Sequence, residues 1–128
     1  MIVFADFVPG KTMGSLTETP DDEQLAQWKK LYPWDVPQDG NLPDGMATVL
    51  MMRAYLDVIS PRPPGNIHTR QHMRLFAPIL PGEAVTTTIT CTSKEMAGER
   101  RKLALTAEGH GPEGRAIYSG TLTLYWAA

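Results

Sequence analysis

The side chains best suited to chemistry lie in two short stretches. Asp35, Asp39 and Asp44 fall in a segment rich in Asp, Pro and Gly. A carboxylate there can serve as a general base, two can work as a pair, or each can simply shape a solvated turn. His68 and His72 follow, alternating with Arg70 and Arg74 in a stretch that reads as a β-strand. On that reading all four share one face, with the imidazoles about 13 Å apart. Such a pair cannot close on one ion, so the sequence predicts no metal site and no cofactor. His68, the earlier of the two, is the stronger candidate for a catalytic role, set against a plain structural histidine. Arg70, Arg74 and Arg115 could meet phosphates or form a solvated charged face.

These groups must be positioned by a small domain. The chain has 128 residues, 42% of them hydrophobic, and a net charge of −2. That composition predicts one globular domain over residues 1–128 and argues against a general nucleic-acid binder. The single cysteine, Cys91, excludes an internal disulfide and reads as a small core residue. No apolar helix candidate reaches bilayer length, and no leader pattern opens the chain, so a cytoplasmic location without membrane contact is expected.

The hydrophobic pattern predicts the elements. Ile2 to Val8 reads as an edge strand or arm. Thr19-Pro20-Asp21-Asp22 reads as a helix start, with Thr19 as cap and Pro20 in the first turn. Leu25, Trp28, Leu31 and Tyr32 then give that helix one buried face. Asp44 reads as the cap of a second helix, Gly45 to about Ile59. This helix is apolar on nearly all sides and so should be wrapped by other structure. Arg53 and Asp57 in it have the spacing of an ion pair. Ser60-Pro-Arg-Pro-Pro-Gly65 ends it. Four strands follow, Ile67–Phe76, Ala84–Glu95, Arg100–His110 and Arg115–Trp126. Val85, Thr87, Ile89 and Cys91 alternate with Thr86, Thr88, Thr90 and Thr92, which implies one buried and one wet face. The sum is an α+β domain: one long helix on an antiparallel sheet of about five strands.

Three stretches carry a resemblance. They are Asp6-Phe-Val-Pro-Gly10 before Leu16-Thr17, Gly40-Asn-Leu-Pro-Asp-Gly-Met46, and Asn66-Ile-His68 through Pro78-Ile-Leu-Pro-Gly-Glu83. In order, they resemble the opening strands, the helix start and the following strand and turn of the MaoC-like hot-dog family. The resemblance implies a hot-dog fold, a long central helix wrapped by a curved sheet, in a homodimer. It implies action on an acyl-CoA or acyl-carrier-protein thioester as a hydratase or dehydratase. That family's hydratases carry Asp-x-Asn-Pro-x-His. Asp35 falls at the Asp position, but Gly40 stands where the His belongs. Gly45 and Met46 would offer backbone N–H groups to the thioester oxygen, and Met46, Met51 and Met52 would line an acyl chain. With the pair incomplete, two alternatives stand beside a hydratase. One is a non-catalytic acyl-binding subunit working with a catalytic hot-dog partner. The other is a hot-dog thioesterase centred on Asp44 or Asp35.

Overall fold

The structure is a computed structural model and describes residues 1–37 and 39–128. Its elements in chain order are β1 (Thr12–Glu18), α1 (Asp22–Leu31), α2 (Met46–Val58), β2 (Ile67–Leu75), β3 (Val85–Ala97), β4 (Arg100–His110) and β5 (Ala116–Trp126). The five strands form one antiparallel sheet in the order β1-β3-β4-β5-β2. Among the described residues, no helix is long and apolar enough to cross a membrane.

The predicted alternation sets the two faces of the sheet. Val85, Thr87, Ile89 and Cys91 are buried on β3, as are Leu103, Leu105 and Ala107 on β4 and Leu122 and Leu124 on β5. The intervening threonines point to the other face, where Thr86 bonds Thr17 across the β1–β3 pair. Burial also pushes the Cys91 thiol up, which makes it a poor nucleophile. The buried row packs on α2 through Met46, Ala47, Leu50, Met51, Ala54 and Tyr55.

Several expectations are corrected here. The segment Ile2–Val8 is not a strand: Phe4–Asp6 forms a 3₁₀ turn, closed by the Val3 N–H donating to Asp6 Oδ2. Phe7 then drops edge-on against Trp126, their ring centroids 5.1 Å apart. The cap of α1 is Asp21, not Thr19. Its carboxylate accepts from the Gln24 N–H while Gln24 Oε1 accepts from the Asp21 N–H, a reciprocal arrangement Thr19 cannot reach. Asp44 does not cap α2 with its side chain; Gly45 occupies that position without a side-chain bond. Neither helix is as covered as its pattern suggests. Leu31 on α1 is 66% exposed, and Val49 and Leu56 leave one stripe of α2 open.

Arg53 pairs with Glu18 rather than Asp57. Its Nε and Nη2 both donate to the Glu18 carboxylate, at 2.7–3.0 Å. β1 passes alongside α2 and ends on Glu18, so the better-placed carboxylate comes from the sheet. The fork orients α2 more than it stabilises the domain, since an exposed pair contributes about 1 kcal/mol or less.

Tyr118 is the largest fully buried side chain, and its hydroxyl bonds that of Thr87. Burial pushes its pKa up to about 12. The unfolded value is about 10, so the folded state resists losing this proton. Stability from this group is therefore complete below pH 10 and is lost as pH rises through about 12. Denaturant titrations should show the wild type losing about 2 to 3 kcal/mol more than Tyr118→Phe across that interval.

Candidate functional site at the start of α2

The start of α2 sits between two depressions. On one side, a cavity of about 310 Å³ is lined by Asp35, Asp39, Asn41, Asp44 and Pro78, among others. On the other, a groove of about 320 Å³ runs between the helices, lined by Trp28, Leu31, Tyr32, Met46, Val49 and Leu50, with Arg53 also in its wall. One wall is polar and carboxylate-rich; the other is apolar.

Trp28 joins the two. Its ring lines the groove, tilted 42° against Tyr32 with 4.4 Å between centroids. Its indole Nε1 donates to Asp35 Oδ2 at 2.9 Å. The carboxylate is thus held by one oxygen, and the Asp35 N–H is held by the Tyr32 carbonyl. The sequence marked Asp35 but read Trp28 only as part of an apolar face. A seven-residue spacing across a helix end gives no signal for this bond.

Gly45 completes the arrangement. A β-carbon there would overlap the Trp28 ring and lie 3.1 Å from Asp35 Oδ2. Its backbone is right-handed helical, at φ −61° and ψ −21°, so the glycine is required for space and not for conformation. Among the described residues the Gly45 N–H makes no hydrogen bond, whereas the Met46 N–H donates to the Pro43 carbonyl at 3.1 Å. Of the two N–H groups considered for a thioester oxygen, Gly45's is the open one. It also lies at the positive end of the α2 dipole.

Asp44 is exposed on the rim of the carboxylate cavity. Asp39 and Gly40 have left-handed backbones, φ 60° and 71°. A histidine at position 40 would be strained in that conformation, so the backbone matches the glycine present.

His68 does not share a face with Arg70, His72 and Arg74. β2 bulges between His68 and Arg70: His68 pairs with Leu124, but Arg70 pairs with Thr123. The extra residue, Thr69, turns His68 to the inner face, where it meets Tyr55 of α2 edge-on at 6.5 Å. Tyr55 lies ten residues beyond Gly45, about 15 Å along the helix. Within one subunit, His68 is therefore remote from Asp35 and Asp44. Arg70 and Arg74 are on the outer face, away from α2, with the Arg74 guanidinium over Phe76. Met46 lines the groove, but Met51 is fully buried in the core, its sulfur against Gly120. No group of three His, Cys, Asp or Glu among the described residues is close enough to hold a metal ion.

No protein-family model matches the chain, and no curated protein matches it. Solved structures do. It is similar to the unliganded R-hydratase PhaJ1 from Pseudomonas aeruginosa, with a TM-score of 0.80 and 14% identity over 98% of this chain and 85% of that one. It is similar to a MaoC-like dehydratase from Rhodospirillum rubrum, with a TM-score of 0.80 and 14% identity over 98% and 97% of the two chains. It is also similar to the ChsH1-ChsH2 complex from Mycobacterium tuberculosis, with a TM-score of 0.73 and 16% identity over 94% and 98%. The chain therefore has the hot-dog fold, as found in the R-hydratase and the MaoC-like dehydratase.

Proposed function

We propose that the protein hydrates a trans-2-enoyl thioester, of coenzyme A or an acyl carrier protein, with Asp35 as the proton-transferring group. One observation carries this reading: the Asp35 carboxylate is fixed by Trp28 close to Gly45, whose N–H makes no hydrogen bond among the described residues, between a polar cavity and an apolar groove. The groove suits an acyl chain. The Gly45 N–H suits the thioester oxygen, whose charge grows as water adds. In the addition, water oxygen bonds to C3 of the enoyl group. Asp35 takes the proton that water gives up and passes it to C2, so the carboxylate ends as it began. The same groups run the dehydration. The reading includes a homodimer in the cytoplasm, and it is supported by the shared fold with an R-hydratase and a MaoC-like dehydratase.

The test is a short trans-2-enoyl-CoA incubated with the protein and a thiol reagent. Loss of the enoyl absorbance without thiol release is the expected result, and Asp35→Asn should slow it by about 10²- to 10⁴-fold. Thiol release would sink the hydratase reading and favour a thioesterase. For that second reading the relevant observation is Asp44, which is exposed at the cavity rim and not occupied as a cap. Silence in both signals across chain lengths would favour an acyl-binding subunit that needs a catalytic partner.

A further inference from the structure

We infer that the outer face of the sheet, opposite α2, carries a separate binding site for a sugar phosphate. The site takes up Arg70, which has no use beside α2, and it does not depend on the hydratase reading.

Strand pairing builds a row of side chains across four strands. Arg70 of β2 lies opposite Thr123 of β5, Thr123 opposite Ala104 of β4, and Ala104 opposite Ser93 of β3. The chain neighbours Leu103, Leu105, Leu122 and Leu124 are buried toward α2, so this row faces outward. Beside it runs a second outward row, Glu95, Lys102 and Tyr125. Bulges deliver both ends of the first row. Ser93 comes two residues after the buried Cys91, and Arg70 two after the inward-facing His68. In unbroken strands both would point to the inner face. Thr92 and Thr69 are the extra residues, and each reverses the phase of its strand next to the same row. The strands bend there, and a cavity of about 440 Å³ opens above the two rows. Ser93 and Ala104 are short and form its floor, while Arg70, Glu95, Lys102 and Tyr125 form its walls. Small-molecule sites span about 300–1,000 Å³, so the space suits one compact ligand.

The groups in the walls name the ligand. Arg70 and Lys102 are two strands and two residues apart, about 12 Å between Cα atoms, so both side chains reach one anion above Thr123. Among the described residues three ion pairs form, and Arg70 is in none of them. Lys102 meets Glu95 at 3.7 Å with both side chains open to water, a pair too weak to hold the lysine against a ligand. Arg100 stands over the Tyr125 ring at 5.0 Å and adds a third cation at the rim. This face is thus locally positive in a chain whose net charge is −2. Guanidinium and ammonium groups suit phosphate oxygens. Glu95 argues against a bare anion, because an ionised carboxylate only accepts hydrogen bonds. A ligand that fits must also donate, as the hydroxyls of a sugar do. Ser93 and Glu95 lie together on β3, where they face that part of the molecule, with the phosphate toward Arg70 and β5. Two molecules carry this chemistry, a free sugar phosphate and the ribose phosphate of a nucleotide.

The test is a magnetic-resonance titration of the isotope-labelled full chain with ribose 5-phosphate and, separately, with AMP. Saturable shifts of the Ser93, Lys102, Ala104 and Thr123 amide signals are expected, with those of Gly45 and Met46 unmoved. Saturation by ribose 5-phosphate shows that the free sugar phosphate suffices; saturation by AMP alone identifies a nucleotide. Inorganic phosphate and ribose each supply half of the contacts and should bind at least about tenfold more weakly. Arg70→Ser removes a cation from the exposed edge, and Ala104→Leu fills the floor. Each should weaken binding by about tenfold or more, with the remaining amide signals in place to show that the fold is intact. No saturable shift with either compound overturns the site. So does an equal response to inorganic phosphate, which would be general attraction of anions, or binding that survives both substitutions. Shifts centred on Gly45 and Met46 would put the phosphate at the start of α2 and overturn it as well.

Discussion

Arg115→Ala should destabilise the domain by about 3 kcal/mol, more than any other single surface change proposed here. Glu83 lies in the turn between β2 and β3, with a side chain only 5% exposed. Arg115 Nη2 donates to both of its carboxylate oxygens and to the Pro78 carbonyl. The Leu80 N–H adds a bond to Glu83 Oε2 at 3.3 Å. The carboxylate packs against the backbone of Gly111, in space that a β-carbon would fill. Removing the arginine strands a buried charge, and that costs more than the pair contributes when intact. Arg115 is itself about one-third exposed, which keeps the expected loss at the lower end for such pairs. In thermal unfolding this amounts to a drop of about 10 °C for a domain of this size. Adding Glu83→Gln should recover part of the loss, because the stranded charge is gone. If both variants melt with the wild type, the pair carries no structural weight. The same arginine holds Pro78 in the cavity wall, so activity should fall before the protein unfolds.

Gly45→Ala should separate function from stability. The backbone there is already right-handed helical, so alanine brings no conformational strain of its own. The new methyl group, however, would occupy space now held by Trp28, whose ring carbon Cη2 lies 2.8 Å from its position. The ring must move, and with it the indole N–H that fixes Asp35. A carboxylate displaced by about 1 Å from its working position can lose about 10²-fold in rate. The expected result is a fall of that order in hydration kcat, a shifted tryptophan fluorescence spectrum, and a melting temperature within a few degrees of wild type. Trp28→Phe should act in the same direction, because it removes the indole N–H together with part of the ring that packs on Gly45. Unchanged turnover in Gly45→Ala would show that the Trp28–Asp35 contact plays no part in catalysis.

The sheet and the central helix were legible because burial imposes a period. The threonine alternation of β3 reappears as its two faces, and the proline run after Ile59 stops α2 where steric exclusion requires. What was not legible depended on partners chosen in space. Arg53 had an acid at helical spacing, yet Glu18 on a neighbouring strand presents the better fork. Thr19 and Asp21 are both good caps, and the choice fell to the one with a glutamine three residues on. Asp35 could be singled out by type and by resemblance, but not the tryptophan that holds it. The least visible feature was Thr69. An unbroken alternation of His and Arg reads as one face, and a single unpaired residue leaves no mark on that pattern.

That residue gives β2 spare length. The strand is two independently addressed segments, one answering to α2 and the other to the outer surface. Loss of Thr69 would merge them into a regular ladder without turning a side chain over, since His68 already opposes Leu124 and Arg70 already opposes Thr123. Loss of Arg70 has the same outcome for His68, because Thr69 then takes the place opposite Thr123 and His68 stays opposite Leu124. A gene encoding this chain can therefore lose one codon at position 69 or 70 and still keep the imidazole on the inner face.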